Sequence, residues 1–241
     1  MGTAGHYRRV LVKISGESLC AAGGSGIDAG AIRATVTELA AARQTGAQIA
    51  VVVGAGNFLR GRDLQSADFI PRVTADGMGM LATVINGLAL GEALKAAGID
   101  ARVHSAFPAG GFCEPFVRGR ADRQLNEGRV VVLAGGTGQP FFTTDTCAAL
   151  RAAQLDADAM MKATKVDGVF DADPATCPDA TKFDRLTYAE VLARRLGVMD
   201  LAAVSLCMES KIPVIVFRLA DPGRLAAAVR GETVGTTIAA D

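Results

Sequence analysis

The sequence predicts an α/β fold in which a mostly parallel sheet carries helices on both sides. Short runs rich in β-branched residues recur along the chain, with longer helical patterns between them. One of these runs, Ile49-Ala50-Val51-Val52-Val53, is apolar at every position, as expected of a strand covered on both faces. The 25 basic side chains balance 25 acidic ones and half of all residues are hydrophobic. That composition excludes a disordered tail and a strongly basic nucleic-acid binder. With 28 Gly, 10 Phe, 2 Tyr and no Trp, the core must be built from small and branched aliphatics.

Val10-Leu11-Val12-Lys13-Ile14 is expected as the first strand. Residues 31–45 place Ile32, Val36, Leu39 and Ala40 at helical spacing and stop at Gly46, so that strand 49–53 completes a β-α-β unit. A long helix is expected over 76–97, apolar at Met80, Leu81, Val84, Ile85 and Leu88 and closed by Gly98. Strands follow at 101–105 and 129–134. The second half repeats the rhythm with a helix over 146–154, a strand at 159–164, helices over 187–196 and 201–208, and a strand at 213–217. A helix over 222–229 and a short strand at 236–239 end it. No Ser/Gly/Pro linker or charge run divides the chain, so residues 1–241 are expected to form one domain. The longest apolar run at a strand, 49–56, is far short of the ~20 residues of a membrane helix, and no span is expected. Arg8, Arg9 and Lys13 interrupt the N-terminal apolar residues before a signal core can form, which points to the cytoplasm. The five cysteines are odd in number, scattered and never in a C-x-x-C pair. They read as reduced, mostly buried residues, not as a disulfide framework or a zinc site.

The functional weight falls on the loops at 21–26, 54–63, 108–119, 135–145 and 167–179. Several begin where a strand ends, which is where open α/β sheets bind ligands. No P-loop motif is present. Gly54-Ala55-Gly56 and Gly136-Thr137-Gly138 both fail the dinucleotide fingerprint, having Leu59 and Phe141 at the third glycine position. Only His6 and His104 are available, neither beside a Cys, Ser or acidic motif, so histidine-based catalysis and metal coordination lack material. His104 reads as a satisfied, half-buried strand residue.

What remains is a set of glycine loops rich in backbone N–H donors, with a few isolated charges. Lys13 lies inside the first strand, a costly place unless its ammonium reaches an anion. The loop 54–57, with Arg60 one turn on, forms a second donor-lined concavity of the kind that binds phosphate. Loop 135–145 offers hydroxyls, free N–H groups and Asp145 at a helix start, where the carboxylate reads either as an N-cap or as part of a site. Segment 162–174 places Lys162 and Lys165 at a strand end, ahead of a turn and three acids. It fits either a nucleotide's phosphates and ribose or a solvated surface loop. Anion loops and separated lysines, with no nucleophile and no base, suit phosphoryl transfer, which needs positioning and charge neutralisation more than covalent chemistry.

In order and spacing, these stretches make the chain resemble the bacterial-type uridylate (UMP) kinases of the amino-acid-kinase superfamily over essentially its whole length. The resemblance rests on Lys13-Ile14-Ser15-Gly16-Glu17, Gly24-Ser25-Gly26-Ile27-Asp28, Gly56-Asn57 with Arg60-Gly61, and Asp76 with Met78-Gly79-Met80-Leu81-Ala82-Thr83-Val84. It continues through Gly136-Thr137-Gly138, Pro140-Phe141-Phe142-Thr143-Thr144-Asp145, the segment 162–173 and Val198-Met199-Asp200-Leu201-Ala202-Ala203. It implies a three-layer α/β/α sandwich with a mainly parallel central sheet, ATP as donor with Mg2+, and UMP converted reversibly to UDP. An N-terminal acceptor lobe and an ATP lobe from about residue 145 are implied as well.

Carried over by position, Lys13 is expected to neutralise the transferred phosphoryl group. Ile14, Ser15 and Gly16, with Gly56 and Arg60, are expected to line the phosphate path. Ala55 and Asp76 face UMP, and Thr137, Gly138, Gln139, Pro140, Phe141, Phe142, Thr143 and Thr144 wrap it. Asp145 becomes the organising carboxylate. Thr164, Phe170 and Asp173 contact ATP, with Lys162 or Lys165 as the second cation; no protein ligands for a metal are implied. Two departures stand out. Ala55 interrupts the family's usual run of three glycines, which is tolerable only if its φ is negative. Gln139 replaces the common Asn, leaving the base contacts open. The resemblance further implies a homohexamer, activation by GTP linked to segment 21–26, and inhibition by UTP. A sister kinase acting on another acceptor, and a storage or sensor protein of the same fold, are the alternative readings.

Overall fold

The computed structural model describes residues 6–59 and 69–240. The first half runs β1 (Arg9–Ile14), a short 3-10 helix (Gly16–Leu19), α1 (Ala29–Gln44), β2 (Gln48–Val53), α2 (Arg72–Ala96) and β3 (Ala101–Ser105). It continues through β4 (Glu114–Pro115), α3 (Arg118–Asn126), β5 (Val130–Ala134) and α4 (Thr144–Gln154). The second half is β6 (Ala159–Thr164), β7 (Val169–Phe170), β8 (Lys182–Phe183), β9 (Arg185–Thr187), α5 (Tyr188–Ala193), α6 (Leu201–Glu209), β10 (Val214–Arg218), α7 (Arg224–Val229) and β11 (Thr236–Ala239).

Nine strands form one sheet in the order β4-β3-β5-β2-β1-β6-β10-β11-β9. Every neighbouring pair is parallel except β10 with β11, while β7 and β8 form a separate antiparallel ribbon. Alternation along β1 sends Val10, Val12 and Ile14 to one face, where they meet Leu39 of α1, Leu90 of α2 and Leu225 of α7. Leu11 points to the other face, onto α3, α4, α5 and α6 through Leu125, Ala148, Val191 and Val204. The expected three layers are therefore present, with a mainly parallel sheet in the middle.

The expected strands and long helices are found, with ends shifted by a few residues. Sequence reading passed over α3, whose buried side is only Ala121, Gln124 and Leu125 and whose other positions are mostly charged. It also passed over β4, β7, β8 and β9, at two or three residues each too short to show a period. His104 is fully buried, not half-buried, with Nε2 on Gln124 Oε1 at 2.7 Å. Helix α2, 25 residues long, holds an 18-residue window of mean hydropathy 1.3, which by length and composition alone passes the test for a membrane span, as a core helix also can. Its inner side packs on β3 and β5 in this fold.

Candidate active site

Parallel pairing of β1 with β6 sets Lys13 directly opposite Lys162. Each follows an inward apolar residue by two positions, Leu11 on β1 and Met160 on β6, so both ammoniums rise on the face that α4 covers. The first turn of α4 closes over them. Thr143, not Asp145, is the N-cap: its Oγ1 accepts from the N–H groups of Asp145 at 3.0 Å and Thr146 at 3.2 Å. Asp145 is thereby free to turn inward. Its Oδ1 lies 3.0 Å from Lys13 Nζ and its Oδ2 2.5 Å from Lys162 Nζ.

Burial pushes the Asp145 carboxyl up, but the ammoniums of Lys13 and Lys162 outweigh this and hold it below the usual carboxylate range. Burial first, and then the charge of Lys13, push Lys162 down to about 8 against the pull of Asp145. Two ammoniums thus converge on one carboxylate at the carboxyl ends of two central strands, with the charge of Asp200 also felt at Lys162. A multiply charged anion is the ligand such a cluster would stabilise.

Beside it opens a cavity of about 630 Å³ lined by Ala55, Gly56, Arg72, Asp76, Thr137, Gln139, Phe142, Thr143 and Thr144, among others. Most of the residues expected around the acceptor thus share one wall. Gly138, Pro140 and Phe141 lie in the same loop but not on that lining. Phe141 instead adopts a φ of 72°, a strained value for a bulky residue, while its N–H donates to Asp76 Oδ2 at 2.8 Å. Arg72 stands over its ring at 5.0 Å. Ala55 stays out of the left-handed region, which removes the objection to an alanine there. The loop is less open to an anion than its glycines suggest. The N–H groups of Gly135, Gly138, Gln139, Phe141 and Asp145 are already bonded within the protein.

On the opposite flank, Ser15 caps the short helix that follows β1, and Gly16 presses on the β2 loop. Thr164 Oγ1 closes a tight turn by donating to the carbonyl of Val166 at 2.6 Å. Phe170 sits half-buried on the β7–β8 ribbon, and Asp173 caps the next turn through the N–H of Ala175 at 3.0 Å. The two candidate cations separate clearly. Lys162 is buried in the cluster, whereas Lys165 is exposed and pairs with Glu17. Arg60 lies outside the described residues.

Sequence reading did not single out Asp200. Its carboxylate accepts from Thr143 Oγ1 and from Thr146 Oγ1, the latter at 2.8 Å, while capping α6 through the N–H of Ala203 at 3.0 Å. It ties the turn that aims Asp145 to a second helix; its place in the matching stretch 198–203 was the only signal. Thr83 was likewise missed, though its Oγ1 accepts from the N–H of Gly135 and fixes the start of the acceptor loop.

Residues 8–218 match the amino acid kinase family. The uridylate kinase of Azorhizobium caulinodans is 53% identical over 94% of each chain. That of Paramagnetospirillum magneticum is 48% identical over the full length of both. The crystal structure of UMP kinase from Bacillus anthracis superposes with a TM-score of 0.95 at 35% identity, covering 98% of this chain and 97% of that one. Family pattern, full-length relatives and fold agree: this chain belongs to the amino acid kinase family, within its uridylate kinase branch.

Proposed function

We infer that the protein is a UMP kinase, moving the γ-phosphoryl group of ATP to UMP to give ADP and UDP. The observation that carries this reading is the Lys13–Asp145–Lys162 cluster at the edge of an acceptor-sized cavity, in a chain about half identical to uridylate kinases over its whole length. The chemistry explains the shortage of bases. A phosphate oxygen of UMP is already anionic, so it attacks the γ-phosphorus without giving up a proton to the protein. The new P–O bond forms as the bond to the β-phosphate oxygen breaks, and ADP leaves with that electron pair. The protein must hold the two oxygens in line and neutralise the charge spreading over the transferred group.

Lys13 and Lys162 neutralise that charge, and Asp145 holds their ammoniums in place. Ala55, Asp76 and residues 137–144 take UMP, while residues 13–16, Gly56, Thr164, Phe170 and Asp173 take ATP. Lys165, on the surface, acts at the edge of the ATP site and not at the transferred group. The division into an acceptor lobe and an ATP lobe from about 145 follows the same split. Asp145 is committed to two lysines, and among the described residues no three His, Cys, Asp or Glu side chains gather as metal ligands. Magnesium enters this reading with the substrate, carried by the triphosphate, and no protein ligand is assigned to it.

Residence in the cytoplasm, a homohexamer, activation by GTP and inhibition by UTP complete the reading. The exposed apolar side of α2 supports self-association, and the resemblance of segment 21–26 supports the GTP effect. The decisive assay is ADP release from ATP with UMP, CMP, AMP and aspartate as acceptors. UMP-dependent release is expected to exceed the others by orders of magnitude. Preference for another acceptor would overturn the reading, as would binding without turnover.

A further inference from the structure

Asn57 and Asn86 form a buried carboxamide pair that the reaction scheme above does not use. Their side chains exchange two hydrogen bonds: Asn57 Nδ2 donates to Asn86 Oδ1 at 2.9 Å, and Asn86 Nδ2 donates to Asn57 Oδ1 at 2.7 Å. Asn86 Nδ2 also donates to the carbonyl of Gly54 at 2.7 Å, and Asn57 Nδ2 to that of Gly26 at 2.7 Å. The backbone N–H of Gly26 returns a bond to the Asn57 carbonyl at 2.8 Å. Asn86 is fully buried and Asn57 nearly so. Gly16 lies so close that an added Cβ would stand 2.5 Å from Asn57 Oδ1 and 2.6 Å from Gly56 N.

Three loops therefore converge on one amide pair: the turn after Lys13, the loop at Gly26 and the loop 54–57, whose Ala55 and Gly56 line the acceptor cavity. Only Asn86 comes from a rigid element, the middle of α2. We propose that Asn86 is a positioning residue for phosphoryl transfer: through Asn57 and Gly54 it fixes the loop that lies between the acceptor cavity and the Lys13 turn. An amide suits this place because it donates to one carbonyl, accepts from Asn57 and carries no charge. An aspartate there would set one carboxylate oxygen against both the Gly54 carbonyl and Asn57 Oδ1, and an alanine would remove the bonds to that carbonyl and to Asn57, leaving Asn57 only its bond to Gly26.

The proposal rests on the kinase reading and is tested by a double-mutant cycle on kcat/KM for UMP and for ATP. Asn86→Ala is expected to lower both by roughly 10- to 100-fold while circular dichroism stays native. Asn57→Ala should cost a similar factor, and the double variant no more than the larger single loss, because one loop is released in all three. Wild-type kinetics in a folded Asn86→Ala protein would overturn the proposal, as would losses that multiply in the double variant. If Asn86→Ala does not fold, Asn86→Ser carries the same comparison. If the unmodified protein makes no ADP from ATP and UMP, the kinase reading fails by itself. Positioning is then read from amide hydrogen exchange at Gly26 and Gly54 against β5. Faster exchange at those two glycines alone in the Asn86 variant supports the proposal, and unchanged rates overturn it.

Discussion

Asp145 pairs with both Lys13 and Lys162, and a counter-charge in that place decides how its variants should behave. Removing one partner from a buried ion pair typically costs about 3–5 kcal/mol, because the remaining charge is stranded. Asp145→Ala leaves Lys13 and Lys162 side by side without their carboxylate, so it should lose turnover by roughly 10²–10³ and also lower the melting temperature. Lys13→Met removes a cation yet leaves Asp145 paired with Lys162; it should lose turnover by a similar factor with a native melting temperature. A calorimetric scan beside the coupled assay separates the two. Lys162 adds a pH signature. Its ammonium, pushed down to about 8 in the folded protein from an ordinary 10.5, binds fewer protons than in the unfolded chain between those values. This group's contribution to stability therefore rises with pH across that window, while activity, which needs the charged form, falls. The kcat/KM profile should bend down above about pH 8, and the kcat profile at higher pH, since bound phosphates favour the ammonium. A flat kcat/KM profile through pH 9 would remove Lys162 from the proposed role.

At the level of elements, the site depends on how closely the ends of β1 and β2 approach. A Cβ on Gly16 would stand 2.6 Å from Gly56 N and 2.8 Å from Gly54 O, both backbone atoms that cannot swing aside. Gly16→Ala should therefore spread the two loops, costing about 1–3 kcal/mol of stability and more than tenfold in kcat/KM, read by denaturant titration and by the assay. The sequence puts Gly16 on the expected phosphate path but carries no sign of this close approach to the β2 loop. The strands were legible because five-residue runs such as 49–53 and 130–134 are buried on both faces and carry no polar residue. Helix α3 was not, because its arginines hide a three-residue inner face. Of the site, Lys13 stood out as a charge inside a strand, while Asp145 read equally as an N-cap and Lys162 as one of two candidate cations with Lys165. Their pairing needed the β1–β6 register, which no local pattern encodes. The Asn57–Asn86 pair and Asp200 escaped for the same reason: each polar group acts through a partner far along the chain.

Over the whole molecule, α2 joins the site to the outer surface. Gly87 and Gly91 let it lie close on β3 and β5; a Cβ at Gly91 would be 2.6 Å from Val103 Cγ2. Its N-terminal turns put Asp76, Gly79, Met80 and Thr83 on the acceptor cavity. On its outer side Val73, Leu81 and Ile85, spaced by eight and four residues along one face, are each about half exposed. An apolar stripe of that kind on a helix whose other side is packed marks a contact surface. The self-association proposed above would seat a second copy of the chain there, the same helix meeting itself across a twofold axis. Replacing Leu81 and Ile85 together with Glu should leave the fold intact, because neither is buried, and should shift sedimentation to a smaller species. The effect should reach the chemistry as well. With the helix unsupported on its outer side, the turns carrying Asp76 and Thr83 lose their backing, so KM for UMP should rise several-fold while KM for ATP moves little. Unchanged sedimentation would rule out this face as the contact. A smaller species with unchanged KM for UMP would keep the interface and dismiss its coupling to the acceptor site.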